Sequence, residues 1–194
     1  RLTETAVADS GGDYVVGITD LGGAGDLLAN LRGTGPLLTD LYDHPEAVLA
    51  LEGRICDWWL AAYERLYRLT APLEVGSSSW LLAWHHGRTY PVQCDFSAMI
   101  SPKMFERFFL PTVLRQAAAL DRCIYHLDGP DAVRHLDLLL GCPEIQAIQW
   151  VPGAGAGPMV QWVPLLRRIQ AGKKALHITA GAWEVAELLE NLRP

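Results

Sequence analysis

Between residues 122 and 194, short apolar runs alternate with amphipathic ones, and this alternation limits the fold more than any other feature of the chain. RCIYHLD, EIQAIQW and KALHIT read as strands. PDAVRHLDLLL, VPLLRRIQAG and AWEVAELLENL read as helices, the first burying Val133, Leu136, Leu139 and Leu140 and the second closing at Gly172. Strands and helices in strict alternation are the pattern of parallel βαβ units.

Upstream the pattern is looser. DYVVGIT (13–19) reads as a short buried strand closed by the turn-like DLGGAGD, with a helix from about residue 25 to 32. Asp43, Pro45 and Glu46 resemble a helix start. Beyond them Val48, Leu51, Ile55, Trp58, Ala62, Leu66 and Leu69 recur at helical spacing. SWLLAWH (79–85) reads as a buried strand and PVQCDF (91–96) as a short extended piece. Ser101-Pro102 caps a helix carrying Phe105, Phe108, Phe109 and Val113. Pro111 falls inside that run, where a proline costs roughly 3 kcal/mol, so a kink or break is expected.

Parallel units are either doubly wound or closed into a barrel. No GxGxxG follows a strand and no GxxxxGK[ST] occurs, so the two common nucleotide fingerprints are missing. GAGAGP (153–158) follows a strand without opening a helix and reads as a mobile loop, with phosphate binding as the alternative. Polar residues stand at the C-terminal ends of the expected strands: Asp20, His85, Asp95, His126 with Asp128, Gln149 and His177. A (β/α)8 barrel, the TIM type, keeps its catalytic groups there. About five βα units are visible and a full barrel takes about 250 residues, so 194 residues read as an incomplete barrel. Residues 1–12 are then a lead-in and 13–194 a partial barrel domain, expected either to be part of a larger protein or to pair its open edges elsewhere, for instance in a homo-oligomer.

Composition excludes several classes. The net charge is −6 and the basic residues are scattered, so no nucleic-acid footprint is present. The apolar stretches are too short for a membrane span, and RLTETAVADSGGD does not read as a signal peptide. Cys56, Cys94, Cys123 and Cys142 form no CxxC pair, which argues against disulfide scaffolds and zinc knuckles and for a reducing, cytoplasmic setting.

In RCIYHLD alternate residues face alternate sides, so Ile124, His126 and Asp128 share one face. A histidine and a carboxylate at a strand end suit a divalent metal, proton transfer, or a polar cap on the next helix. Asp95 reads as a substrate-orienting or acid/base group, or as a turn cap. Cys94 beside it reads as a buried thiol rather than a nucleophile. His177 is a candidate third ligand. Asp20, Gln149, Trp84 and Trp150 are candidate substrate contacts, the two indoles as walls of an apolar pocket. His135 reads as part of a solvated helix face.

GITDLGGAGDLLANLRGTGPLLTDLYDHPEAV, YPVQCDFSAMISPKMFERFFLPTVLRQ and IYHLDGPDAVRHLDLLLGCPEIQAIQWVPGAG together resemble the uroporphyrinogen decarboxylase superfamily, over about residues 13 to 190. That superfamily includes the decarboxylase and the corrinoid- and coenzyme M-linked methyltransferases. ISPKMFERFFLP is the most specific segment and makes Pro111 a family feature. The resemblance implies a (β/α)8 barrel. In the methyltransferase branch the equivalent strand ends in His-x-Cys, both zinc ligands, with a later cysteine completing the site. Here His126 matches, Asp128 stands for the first cysteine, and no cysteine follows Cys142. The expected activity is metal-assisted methyl transfer on a small molecule, with zinc or another divalent metal and a corrinoid supplied by a partner protein. The alternatives are a tetrapyrrole decarboxylase needing no cofactor, whose arginine-rich motif has no match here, and a noncatalytic partner that docks a corrinoid protein.

Overall fold

The computed structural model describes residues 1–70 and 76–193. Four helices come first: α1 (Leu2–Ser10), α2 (Ala24–Arg32), α3 (Thr34–Asp43) and α4 (Pro45–Thr70). A small antiparallel hairpin, β1 (Ser77–Ser78) and β2 (Trp84–His85), leads into β3 (Thr89–Gln93). The rest runs α5 (Pro102–Phe108), α6 (Leu110–Ala118), β4 (Arg122–Asp128), α7 (Leu136–Leu140), β5 (Ala147–Val151), α8 (Val163–Ala171), β6 (Ala175–Ile178) and α9 (Val185–Asn191), with short 3-10 turns before α5, α7, α8 and α9.

The chain is therefore an α/β protein around a four-stranded parallel sheet ordered β3-β4-β5-β6. One face of that sheet is the core. Val92, Tyr125 and Ile148 stand in register on it, as do Leu127 and Trp150 on the next row. All are buried against α6, α7 and α8 through Val113, Ala117, Leu136, Leu139, Leu166 and Ile169. Tyr90 extends the layer to α4, meeting Trp59 and Tyr63 edge-on with ring centroids 5.3 and 5.7 Å away. The opposite face carries Gln93, His126, Gln149 and His177 in one register row. Parallel sheets normally have helices on both faces. Here His126, Asp128 and His177 on the second face are only half-buried.

Local chemistry explains the element boundaries. Ser101 Oγ accepts from Met104 N–H at 3.3 Å, with Pro102 in the first turn, so α5 starts where expected. The run then breaks at Phe109, and Pro111 becomes an early residue of α6 instead of an interior fault. At β6 the sheet stops. Leu176, Ile178, Val185, Leu188, Leu189 and Leu192 line an open groove of about 680 Å³ beside that edge strand.

Several expectations need correction. DYVVGIT contributes a single parallel bridge, Ile18 to Ser79, and Tyr14 and Val15 are exposed. SWLLAWH is the bend of the hairpin, with Leu82 at φ 60° and 87% exposed. On α4 the buried stripe is Val48, Glu52, Ile55, Cys56, Trp59 and Tyr63, leaving Leu51 and Trp58 outside. Residues 1–12 hold a helix, α1, that packs on α4, and α3 was not foreseen. The parallel sheet is compatible with part of an α/β barrel; eight units are not present among the described residues.

Glu52 lies in that α4 stripe, against α6. Burial pushes its carboxyl up to about 7; the hydrogen bond with the Thr112 hydroxyl, 2.7 Å from Oε1, opposes the rise and the negative field of Asp26 adds to it. The neutral acid can donate to Thr112 Oγ1, which in turn donates to Phe109 O at 2.8 Å. Since the folded value exceeds the ordinary 4.5, stability from this group falls as pH rises through that interval toward 7. Glu52→Gln should raise the unfolding free energy measured by urea titration at pH 8, by on the order of 2 kcal/mol, and leave it nearly unchanged at pH 4.5.

Candidate metal centre

Three side chains converge at the C-terminal ends of β3 and β4. His126 and Asp128 are two residues apart on one strand and so project from the same face. Gly129 follows at φ 80°, turning the chain away immediately after the second carboxylate. Asp95 opens the 3-10 turn Asp95–Met99 just beyond β3. One ligand atom each from Asp95, His126 and Asp128 lies within 4.8 Å of the other two.

Neighbouring groups fix each of the three. Gln93 stands in register with His126, and its Nε2 donates to Asp95 Oδ2 at 3.4 Å. Phe96 N–H donates to Asp26 Oδ1 at 2.8 Å, anchoring the turn that carries Asp95 to the first turn of α2. That anchor depends on close approach. A Cβ on Gly23 would collide with Gln93 O, and one on Gly25 would meet Phe109 Cδ1 at 2.7 Å and Cys94 Sγ at 2.9 Å. The GGAGD stretch is thus what lets α2 sit against the end of β3. On the other side of His126, its Nδ1 is in short contact with Gln149 Oε1 on β5. An amide oxygen only accepts, so Nδ1 carries the proton and Nε2 keeps its lone pair. The Trp80 indole meets the His126 ring edge-on at 5.3 Å.

The electrostatics are those of crowded carboxylates. Asp95 keeps solvent access, yet the atoms packed around its carboxyl strip away enough water to push it up to about 6. Asp26, Asp128 and Asp20 add to the rise, and His126 opposes it. A histidine nitrogen and two carboxylates at this separation form an N/O donor set suited to zinc or a harder divalent ion. Imidazole held by a second group through its other nitrogen is the usual condition of a metal-bound histidine.

The remaining candidates distribute unevenly. Asp20 lies close enough to act on Asp95, but its Oδ1 accepts from Gly22 N–H at 2.8 Å and it is outside the three-residue group. Gln149 is in the site as the partner of His126. His177 is in register with Gln149, two strands from His126, and is outside the three-residue group. Asp95 takes that place in the cluster. Trp150 projects to the helix side, in register with Leu127 and 4.9 Å from the Trp162 ring, so it walls no pocket on the His126 face. Trp84 is 60% exposed on the hairpin. His85 is on that hairpin too, its Nδ1 accepting from Gly87 N–H at 3.0 Å. His135 is fully buried, with Nε2 2.8 Å from Ser97 O, not on a solvated face. Cys94 is buried and its thiol is held well above the ordinary value by burial, an inert thiol as expected. Gln93, Asp26 and Trp80 were not singled out. The parity of β3 would have placed Gln93; nothing local marks Trp80.

No family model, curated protein or solved structure matches this chain.

Metal ligands must be deprotonated to bind. Because Asp95 titrates near 6, affinity for zinc should be flat from pH 8 to 7 and fall below about pH 6, by up to tenfold per pH unit. Competition titration with a chromogenic chelator across pH 5 to 8 measures this, and Asp95→Asn should make the fall shallower without abolishing it, because the histidine ligand must also be deprotonated. In the metal-free protein the sign is opposite. The carboxyl is raised above its ordinary 3.8, so the folded state holds the extra proton and stability rises as pH falls from 7 toward 4.

Proposed function

We propose that this chain is a metal-dependent enzyme built on a barrel of the uroporphyrinogen decarboxylase type, and that its reaction is methyl transfer to a small molecule. The observation that carries the reading is the convergence of Asp95, His126 and Asp128 within 4.8 Å, with Nδ1 of His126 committed to Gln149. His126 Nε2 and one oxygen from each carboxylate would hold the ion. A bound divalent ion would act as a Lewis acid, lowering the pKa of an acceptor group so that it reacts as its anion. Gln149 orients the imidazole, Gln93 and Asp26 place Asp95, and Trp80 shields one side of the His126 ring from water.

The resemblance of ISPKMFERFFLP and IYHLDGPDAV to the superfamily, with His126 at the place of the methyltransferase branch's zinc histidine, supplies the reaction class. Replacing a thiolate by Asp128 makes the donor set harder, which favours an oxygen or nitrogen acceptor over a thiol. A corrinoid protein as methyl donor follows from the same resemblance, and a cytoplasmic setting from the unpaired cysteines. The four cysteines are free and buried, and no helix among the described residues is long and apolar enough to cross a membrane. A second reading has one observation in its favour. A carboxyl near 6 is a competent proton donor at neutral pH, so Asp95 also suits cofactor-free decarboxylation of a tetrapyrrole.

Elemental analysis after gentle dialysis separates the two. The wild type should retain about one equivalent of divalent metal, lost in His126→Ala and Asp128→Ala at unchanged far-ultraviolet dichroism. Stoichiometric metal surviving in His126→Ala would overturn the proposal. Carbon dioxide released from a tetrapyrrole by metal-free protein would establish the second reading.

A further inference from the structure

Across the open face of the sheet the hydrogen-bonding groups continue past the metal centre. Gln93, His126, Gln149 and His177 occupy one register row on four adjacent strands. The row beneath them on the same face is Pro91, Ile124, Ala147 and Ala175, which offers no charge.

The proton positions along the row follow from one another. With Nδ1–H of His126 given to Gln149 Oε1, the amide oxygen is used and the amide NH2 is directed away from His126. That NH2 has no acceptor among the described residues and is not sealed from solvent. On the next strand, Nδ1 of His177 is sealed from solvent and has no partner. A buried N–H without an acceptor costs more than a buried lone pair without a donor, so the neutral ring carries its proton on Nε2. Burial also disfavours the charged imidazolium. Nε2 has no protein partner among the described residues and is the nitrogen that solvent reaches. Two uncharged N–H donors therefore stand on the same face of adjacent strands, whose backbones run about 4.8 Å apart.

We infer that Gln149 and His177 form a subsite that takes a carboxylate of the substrate, whose other end reaches the metal centre. This rests on the reading of Asp95, His126 and Asp128 as metal ligands, because that reading sets the His126 proton and hence the Gln149 amide. Both groups present N–H donors, so a carboxylate finds two hydrogen bonds there; the Asp128 carboxylate lies one row further along β4 on the same face and belongs to the metal centre. Asp20, Asp26, Asp95 and Asp128 together repel an anion, and a divalent ion relieves that repulsion, so carboxylate binding requires the metal.

The test uses zinc-loaded protein and two probes, glutarate and butyrate, which share a carboxylate and differ by the second one. Glutarate should bind about tenfold more tightly than butyrate by calorimetry, with no such preference in metal-free protein. His177→Leu should erase the preference while zinc stoichiometry stays at one, and His177→Gln, which restores an N–H donor, should recover most of it. In the wild type, glutarate should shift the ¹⁵N resonance of His177 Nε2 and leave that of buried His135 in place. Zinc bound normally with equal affinity for the two probes, or a preference that persists in His177→Leu, overturns the subsite alone. A wild type that takes up no zinc overturns the metal centre and the subsite together.

Discussion

The site depends on one constraint: β4 is clamped in parallel register between β3 and β5. The pairings Gln93 with His126 and His126 with Gln149 put an amide on each flank of the imidazole. A shift of one residue would turn His126 and Asp128 into the helix layer and bring Tyr125 and Leu127 out. That slip is opposed by the core face, where Tyr125, Leu127, Ile148 and Trp150 are each about 1% exposed or less. Burying such side chains is worth roughly 1.5–3 kcal/mol apiece. The apolar face of β4 thus enforces the geometry of its polar face.

The second half of the site is set from far away in sequence. Asp95 is delivered by a turn whose Phe96 N–H is held by Asp26, 70 residues upstream. For that contact α2 must lie against the end of β3, which Gly23 and Gly25 permit because neither presents a Cβ. Asp26 has a cost. Its Oδ2 is buried without a partner, and it helps raise the carboxyl of Asp95. Positioning and electrostatic tension come from the same side chain, and a cation among these carboxylates would relieve the tension.

What could be read from the residues was whatever rests on local chemistry. RCIYHLD gave β4 over 122–128 because strict alternation suits a strand, and the Ser101 cap and the Pro111 break are decided within one turn of helix. Pairing His126 with Asp128 needed only strand parity. What failed required distant partners. SWLLAWH is apolar enough for a strand, yet Ser77 pairs with His85 and the segment bends back on itself. On α4, Trp58 and Trp59 satisfy the same periodicity, and the aromatic stack with Tyr63 and Tyr90 decides that Trp59 goes inside. His177 was placed on the correct face, but the number of strands separating it from His126 is a property of sheet order. Asp95 entered the cluster through Asp26, which no local pattern could indicate.

β4 has a hydrogen-bonded neighbour on both sides, whereas β6 has one, β5, within the four-stranded sheet. β3 is likewise an edge strand, so the row that carries the polar side chains is stiffest at β4 and β5. His126 sits where the backbone is held from two directions, and His177 where it is held from one. Small displacements will be larger at the edge strand, where local opening costs less than at the centre. The arrangement joins a stiff centre, suited to holding the His126 ring at a fixed place, to a compliant edge at His177 that can adjust to the length of what it receives.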